Sequence, residues 1–245
     1  MKFSYSAIWD DAMRMMRAHG SLLLAVAGVF FLLPGLLMGY FLPQPTGTGP
    51  DWIGAMTGYY TSNWHWLLLA NIVNLVGYIA IYRLLLDPRG ATVGHAIGGA
   101  LPILPMYFVM TVLTGIFVGA GLVLFVLPGI YLLGRLAVSG AAMVAEGHRN
   151  PLTPIGRSWD LTARRGWAVA GLLVIVIVVG TLLSMVVTAV LGTVFILIAG
   201  REGVGPLLVL ILNSALVTFF MTVLVALLAA IYRALVGAAE PTTGS

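Results

Sequence analysis

Residues 167–192 read WAVAGLLVIVIVVGTLLSMVVTAVLG, 26 positions without a charged side chain. As an α-helix the run is about 39 Å long, more than the ~30 Å of a hydrocarbon core. Its hydroxyls, Thr181, Ser184 and Thr188, are too few to furnish a wetted face. A helix on the surface of a soluble domain carries a polar stripe opposite its apolar one, and this run has none. It belongs in lipid.

Similar runs extend in both directions, and six spans follow at about 21–42, 64–86, 103–121, 122–146, 167–192 and 206–235. The composition agrees, with 60% hydrophobic and 8% charged residues and a mean hydropathy of +1.06. A soluble chain of this length needs far more polar surface. The expected fold class is an all-α membrane protein with six transmembrane helices.

The basic residues set its orientation. The connection 43–63 has none, and the fifth-to-sixth connection carries Arg201 and Glu202. On the opposite side lie Lys2, Arg14, Arg17, Arg83, Arg89, Arg149, Arg157, Arg164, Arg165 and Arg233, ten of the twelve basic residues. The positive-inside rule then puts both termini in the cytoplasm. The net charge of +4 reflects this topology signal. No basic run exists for a phosphate backbone to follow, so a nucleic-acid partner is excluded. Cysteine is absent, which excludes disulfides, thiolate metal sites and thiol nucleophiles.

Two fragments recur at a displacement of 150 positions. Trp9-Asp10, Arg14 and Ile81-Tyr82-Arg83 return as Trp159-Asp160, Arg164 and Ile231-Tyr232-Arg233. Each copy brackets a pair of spans, giving one membrane domain over 1–245 with an internal pseudo-repeat. Its parts are a helix-pair unit 1–90, a central hairpin 91–150, a second helix-pair unit 151–237 and a flexible tail 238–245. Both repeated units begin on the same side, so the repeat is parallel. The inverted repeats of alternating-access transporters gain no support from it.

Short amphipathic helices are expected ahead of the spans, lying in the interface. In 3–18, Ile8, Trp9, Ala12, Met13 and Met16 share a stripe, opposite Ser6, Asp10, Asp11, Arg14 and Arg17. In 153–165, Thr153 is a candidate cap, Pro154 suits the first turn, and Ile155, Trp159 and Ala163 share a face. Asp10/Arg14 and Asp160/Arg164 have the spacing of helical ion pairs. A weaker, Gly-rich third example spans 91–101. The repeated Trp, Asp and Arg positions then read as interfacial anchors, with Arg83 and Arg233 snorkelling from span ends.

Arg135 stands apart, because either reading of the hairpin puts it inside the membrane. The turn between the third and fourth spans falls at Gly119-Ala120-Gly121, with Pro128-Gly129 as a kink, or at Pro128-Gly129 itself. A mid-bilayer charge costs at least ~2.5–3.5 kcal/mol on insertion scales, so Arg135 needs partners or water. Apart from Glu146 at the end of the fourth, the spans contain no carboxylate. The candidates are Asn71, Asn74 and Tyr78, which share one helical face, together with Ser139 and the Leu124 carbonyl. These residues either tie the bundle together or meet an anion such as a lipid phosphate. Gly35/Gly39 and Gly115/Gly119 have the spacing of close helix approach.

Catalytic patterns are missing. His19, His65, His95 and His148 lie apart, with no HExxH motif, nucleophile elbow or Walker loop. No enzyme activity, cofactor or metal is expected.

One stretch resembles a known family. Pro128-Gly129-Ile130-Tyr131-Leu132, Arg135, Val144-Ala145-Glu146-Gly147 and Arg157-Ser158-Trp159-Asp160-Leu161-Thr162 are similar to the membrane domain of bacterial glycerophosphoryl diester phosphodiesterases and to YciC-like inner-membrane proteins. The likeness covers about 128–167. Many relatives have Pro where Ala141 stands, and the soluble phosphodiesterase domain is absent. The resemblance implies a bacterial cytoplasmic-membrane module associated with lipid or envelope metabolism. Anionic lipids and other membrane or peripheral proteins are its expected partners. The other reading is a small permease for an anionic or phosphorylated solute, with Arg135 in a polar cavity.

Overall fold

The computed structural model describes residues 4–45, 49, 51–87 and 92–239. Among these residues there is no strand. Six helices are long and apolar enough to cross a membrane: Gly20–Phe41, Trp52–Leu86, Val93–Leu124, Val126–Ala145, Gly166–Ala199 and Val204–Ala238. The stretch that opened the reading falls in the fifth, and only 6% of its most apolar window is buried. Val178, Val179, Leu182 and Leu183 all point outward. Such a surface is stable only against hydrocarbon. The protein is therefore a multi-pass α-helical membrane protein.

The chain begins with α1 (Tyr5–Ala18), which the Ser4 side chain caps by accepting from the Ala7 amide. The first span is α2 (Gly20–Ala27), a π turn at Gly28–Leu32, and α3 (Leu33–Phe41). Pro34 causes the π turn. It has no N–H, and its ring would press on the carbonyl four residues back. The chain relieves this by bonding the Leu33 amide to the Gly28 carbonyl, five residues back. The Gly35/Gly39 seam is real: a Cβ on Gly39 would overlap Leu210, and one on Gly35 would touch Ser214. Gly115 and Gly119 face open space, so that pair holds no seam.

The second span, α4 (Trp52–Leu86), starts twelve residues before the expected boundary at 64. Residues 52–63 are helical, and their polar side chains turn back onto the helix's own carbonyls. Thr57, Thr61 and Asn63 donate to carbonyls four residues back, and Tyr59 ties α4 to the Leu42 carbonyl. A short helix α5 (Val93–Ala100), capped by Thr92, runs through a 3₁₀ turn into α6 (Leu104–Leu124).

The hairpin corrects both turn readings, because Gly119-Ala120-Gly121 and Pro128-Gly129 are all helical. The chain reverses at Phe125, which is extended. Pro128 is the third residue of α7 (Val126–Leu136), in the first turn, where an N–H has no helical partner anyway. Gly129 permits the close approach, since a Cβ there would lie 2.5 Å from Leu122. The true break in the fourth span is at Ala137-Val138, after which α8 (Ser139–Ala145) begins.

Then come α9 (Leu152–Leu161), α10 (Gly166–Ala199) and α11 (Val204–Ala239). Thr153 does not cap α9: the cap residue is Pro151, and the Asn150 side chain just before it accepts from the Leu152 amide. The 90/91 unit boundary and the tail from residue 240 on lie outside the described residues.

The three short helices dock alike. α1 packs on α11, α5 on α4, and α9 on α7 and α8. Each buries a pair of small or apolar residues four positions apart: Ile8/Ala12, Ala96/Ala100 and Ser158/Thr162. The tightest core lies at this end of the bundle, where Ile79, Ile81, Val138, Met143, Val169, Leu227 and Ile231 are almost wholly buried.

Candidate functional site

Arg135 is buried, 4% exposed, near the end of α7. Because α7 stops at Leu136, its last carbonyls need donors from outside the helix. The Arg135 carbonyl receives two, Ser158 Oγ at 2.8 Å and Thr162 Oγ1 at 3.0 Å, and Ser139 Oγ donates to the Leu136 carbonyl at 2.7 Å. The α9 hydroxyls thus splice the broken span to the short helix docked on it.

The Arg135 side chain lies over the Trp159 ring, 4.1 Å from its centroid, and 5.7 Å from that of Tyr131. A desolvated cation–π pair contributes about 2 kcal/mol, which offsets part of the burial cost. Tyr131 in turn meets Trp167 at 5.2 Å. Gly166, first residue of α10, makes room for the arginine, because a Cβ there would lie 2.6 Å from Arg135 Cδ. No carboxylate pairs with Arg135 among the described residues, and its buried Nε has no hydrogen-bond partner.

This corrects the expected polar cluster. Asn71 is exposed and Asn74 half-buried. The Tyr78 hydroxyl meets Met221 Sδ at 3.6 Å. Arg135 turns away from them toward α9 and α10, and the Leu124 carbonyl ends the preceding helix.

The interfacial pairs also change. Arg14 bonds Asp11, three residues back, in place of Asp10, and Arg233 Nη1 lies 3.5 Å from the other Asp11 oxygen. The Asp160/Arg164 spacing loses its meaning because α9 ends at Leu161 and a turn follows. Trp9 and Trp159 are 40% and 42% exposed. The buried faces of α1 and α9 are therefore rotated one residue from the expected stripes, onto Ile8/Ala12/Met15 and Pro154/Ser158/Thr162. Arg83 lies over Gly99 of α5, where a Cβ would overlap its guanidinium. Arg83, Arg135 and Arg233 each reach the short helix docked on their own span.

Glu146, just past α8, joins three elements. Its Oε1 accepts from Arg157 Nε at 2.8 Å and from the Tyr232 hydroxyl at 2.9 Å, and its Oε2 meets His148 Nε2 at 2.8 Å. Burial pushes its carboxyl pKa up, but the bonds from Arg157, Tyr232 and His148 outweigh that and hold it below the ordinary value. The Glu146 bond in turn raises the Arg157 pKa.

A cavity of about 410 Å³ opens within the bundle, lined by α4, α6, α7, α8, α10 and α11. Tyr78 and Ser139 line it, while Arg135, Asn71 and Asn74 do not. Its walls are mainly apolar, with hydroxyls from Tyr82, Tyr107 and Thr114. Sequence reasoning did not find this cavity, and it placed Ser158 and Thr162 in the motif of the resemblance without assigning them a role. One signal was available for the hydroxyl pair: the 150-residue shift carries Ile8 and Ala12 onto it. Among the described residues no three His, Cys, Asp or Glu gather as metal ligands.

The fold and these sites define a helical multi-pass membrane protein whose central cavity is walled mainly by apolar side chains. Compared with protein families, curated proteins and solved structures, the chain matches none.

Proposed function

We propose that the protein is a non-enzymatic, lipid-associated module of the bacterial cytoplasmic membrane, with both termini in the cytoplasm. The observation that carries this reading is the character of the cavity. It is apolar, and the buried arginine lies outside it, stacked on Trp159. A permease for an anionic solute needs a continuous polar path past Arg135, and the arrangement of Arg135, Asn71 and Asn74 argues against one. The resemblance of 128–167 to phosphodiesterase membrane domains points the same way.

The docks of α1, α5 and α9 support a three-unit plan in which each short helix packs on the second span of the preceding unit, closing as a ring. On this reading α1 and α9 lie in the headgroup layer, with Trp9 and Trp159 as anchors. Exposed Arg14, Arg17 and Arg164 attract anionic lipid, each contributing about 1 kcal/mol near a charged leaflet.

The test uses the full chain in vesicles of phosphatidylglycerol and phosphatidylcholine. Native mass spectrometry should find phospholipid retained, with phosphatidylglycerol preferred, and the preference should fall in Arg14→Gln/Arg164→Gln. Uptake of inorganic phosphate or glycerol phosphate should equal that of empty vesicles. Protein-dependent uptake abolished by Arg135→Gln would establish the permease instead.

A further inference from the structure

The cavity has a polarity that packing alone does not require. Thr111 and Ser139 spend their hydroxyls on the Tyr107 and Leu136 carbonyls. Tyr82 and Tyr107 are only 3% and 5% exposed, yet neither hydroxyl meets a hydrogen-bond partner among the described residues. Thr114 Oγ1 is likewise buried and unpartnered. All three line the cavity. A buried hydroxyl without a partner costs about 1–3 kcal/mol, which Thr114 bears, and the two tyrosine hydroxyls beside it on the cavity wall are free to donate to a bound group. The remaining wall is hydrocarbon, including Leu133, Leu173, Ile177 and Leu228. The volume lies within the range of ligand pockets, about 300–1,000 Å³.

An entry exists. α6 and α10 both line the cavity but make no extended contact with each other. Gly115, on the α6 wall of the cavity, is exposed, and a Cβ on it would meet nothing within 4 Å.

We infer that this cavity binds one ester-linked acyl chain of a membrane glycerolipid, entering between α6 and α10. Its ester carbonyl accepts from the Tyr82 and Tyr107 hydroxyls, and its methylenes run along the apolar wall. The ligand's body must be apolar because the wall is. Acceptor oxygen on the ligand suits the Tyr82, Tyr107 and Thr114 hydroxyls, each of which can donate. A chain still joined to its headgroup suits a cavity that opens to the side. This inference rests on the lipid-associated reading and names the site and chemical class.

The experiment uses the full chain in nanodiscs containing phosphatidylglycerol with a diazirine near the end of one acyl chain. Crosslinks should concentrate in peptides carrying Thr114, Gly115 and Leu133, above the level at outward-facing Val178 and Leu182. Gly115→Leu, whose Cβ would meet nothing within 4 Å, should narrow the cavity, cut those crosslinks about tenfold and leave the melting temperature within a few degrees. Native mass spectrometry with diester and diether phosphatidylglycerol should favour the diester by about three- to tenfold, the worth of one or two hydrogen bonds. Tyr107→Phe should reduce that preference toward unity while chain crosslinking persists, and it keeps the test intact should Gly115→Leu not fold.

Crosslinks spread evenly over the lipid-facing helices, or equal retention of diester and diether, would overturn the inference. If phospholipid is retained while the crosslinks are even, the acyl site alone fails. If no phospholipid is retained, the lipid-associated reading fails with it.

Discussion

At the residue scale, the chemistry gathers where backbone or side-chain polarity is trapped out of water. The Arg135 carbonyl is one case, and Ser158 and Thr162 both donate to it. Ser158→Ala alone leaves one donor and should cost about 1 kcal/mol. Ser158→Ala/Thr162→Val together leave the carbonyl bare, and the loss should reach about 2–3 kcal/mol. Chemical denaturation in detergent micelles measures both. Glu146 is the second case. Its folded-state pKa is lowered, so its stabilisation is present above the unfolded value and lost as pH falls through the folded one. The wild type should therefore lose thermal stability below about pH 4.5, and Glu146→Gln should lose much less over the same interval. An equal acid sensitivity in both proteins would show that the bonds to Arg157 and Tyr232 carry no stability.

At the element scale, glycines decide which helices can touch. A Cβ on Gly134 would lie 2.4 Å from the Gly166 carbonyl, and one on Gly166 would strike Arg135. Gly166→Ala should lift the arginine off Trp159 and cost about 1–3 kcal/mol as overpacking. The sign of it is a change in tryptophan emission that disappears in a Trp159→Phe background. The π turn makes a comparable point on the first span. Pro34 removes one amide, and the chain winds more loosely at Gly28–Leu32 to compensate. Replacing Pro34 with Ala should restore a regular helix there, visible as lowered hydrogen exchange across residues 28–34.

At the scale of the whole molecule, topology can be tested directly because the chain has no cysteine of its own. Ser6→Cys should react with a membrane-impermeant maleimide only from the cytoplasmic side, and Arg201→Cys only from the opposite side. The reverse pattern would invert the orientation read from the basic residues.

Six spans were legible in the sequence because a membrane span is a local property: about twenty apolar residues and no charge suffice. Residues 167–192 needed no partner to be recognised. Boundaries were less legible. Residues 52–63 looked like a loop on composition, and their side chains turned out to bond the backbone of their own helix. The 150-residue echo marked Trp9, Trp159, Arg83 and Arg233 as interfacial anchors; that Trp159, Arg83 and Arg233 meet partners across helix docks lay beyond it.

The sequence by itself determined what the solvent is, since hydrophobicity and charge are written residue by residue. It also set where the helices are and which residues are too polar to be ignored. The tertiary structure alone decided what those polar residues meet. Arg135 was marked as needing a partner, yet its neighbours, Trp159 and Gly166, follow it by 24 and 31 positions on other helices. Likewise, Tyr82, Tyr107 and Thr114 on the cavity wall come from α4 and α6, brought together only by packing. Partnership across a bundle depends on helix rotation and approach, and these are set by the sum of contacts along every span.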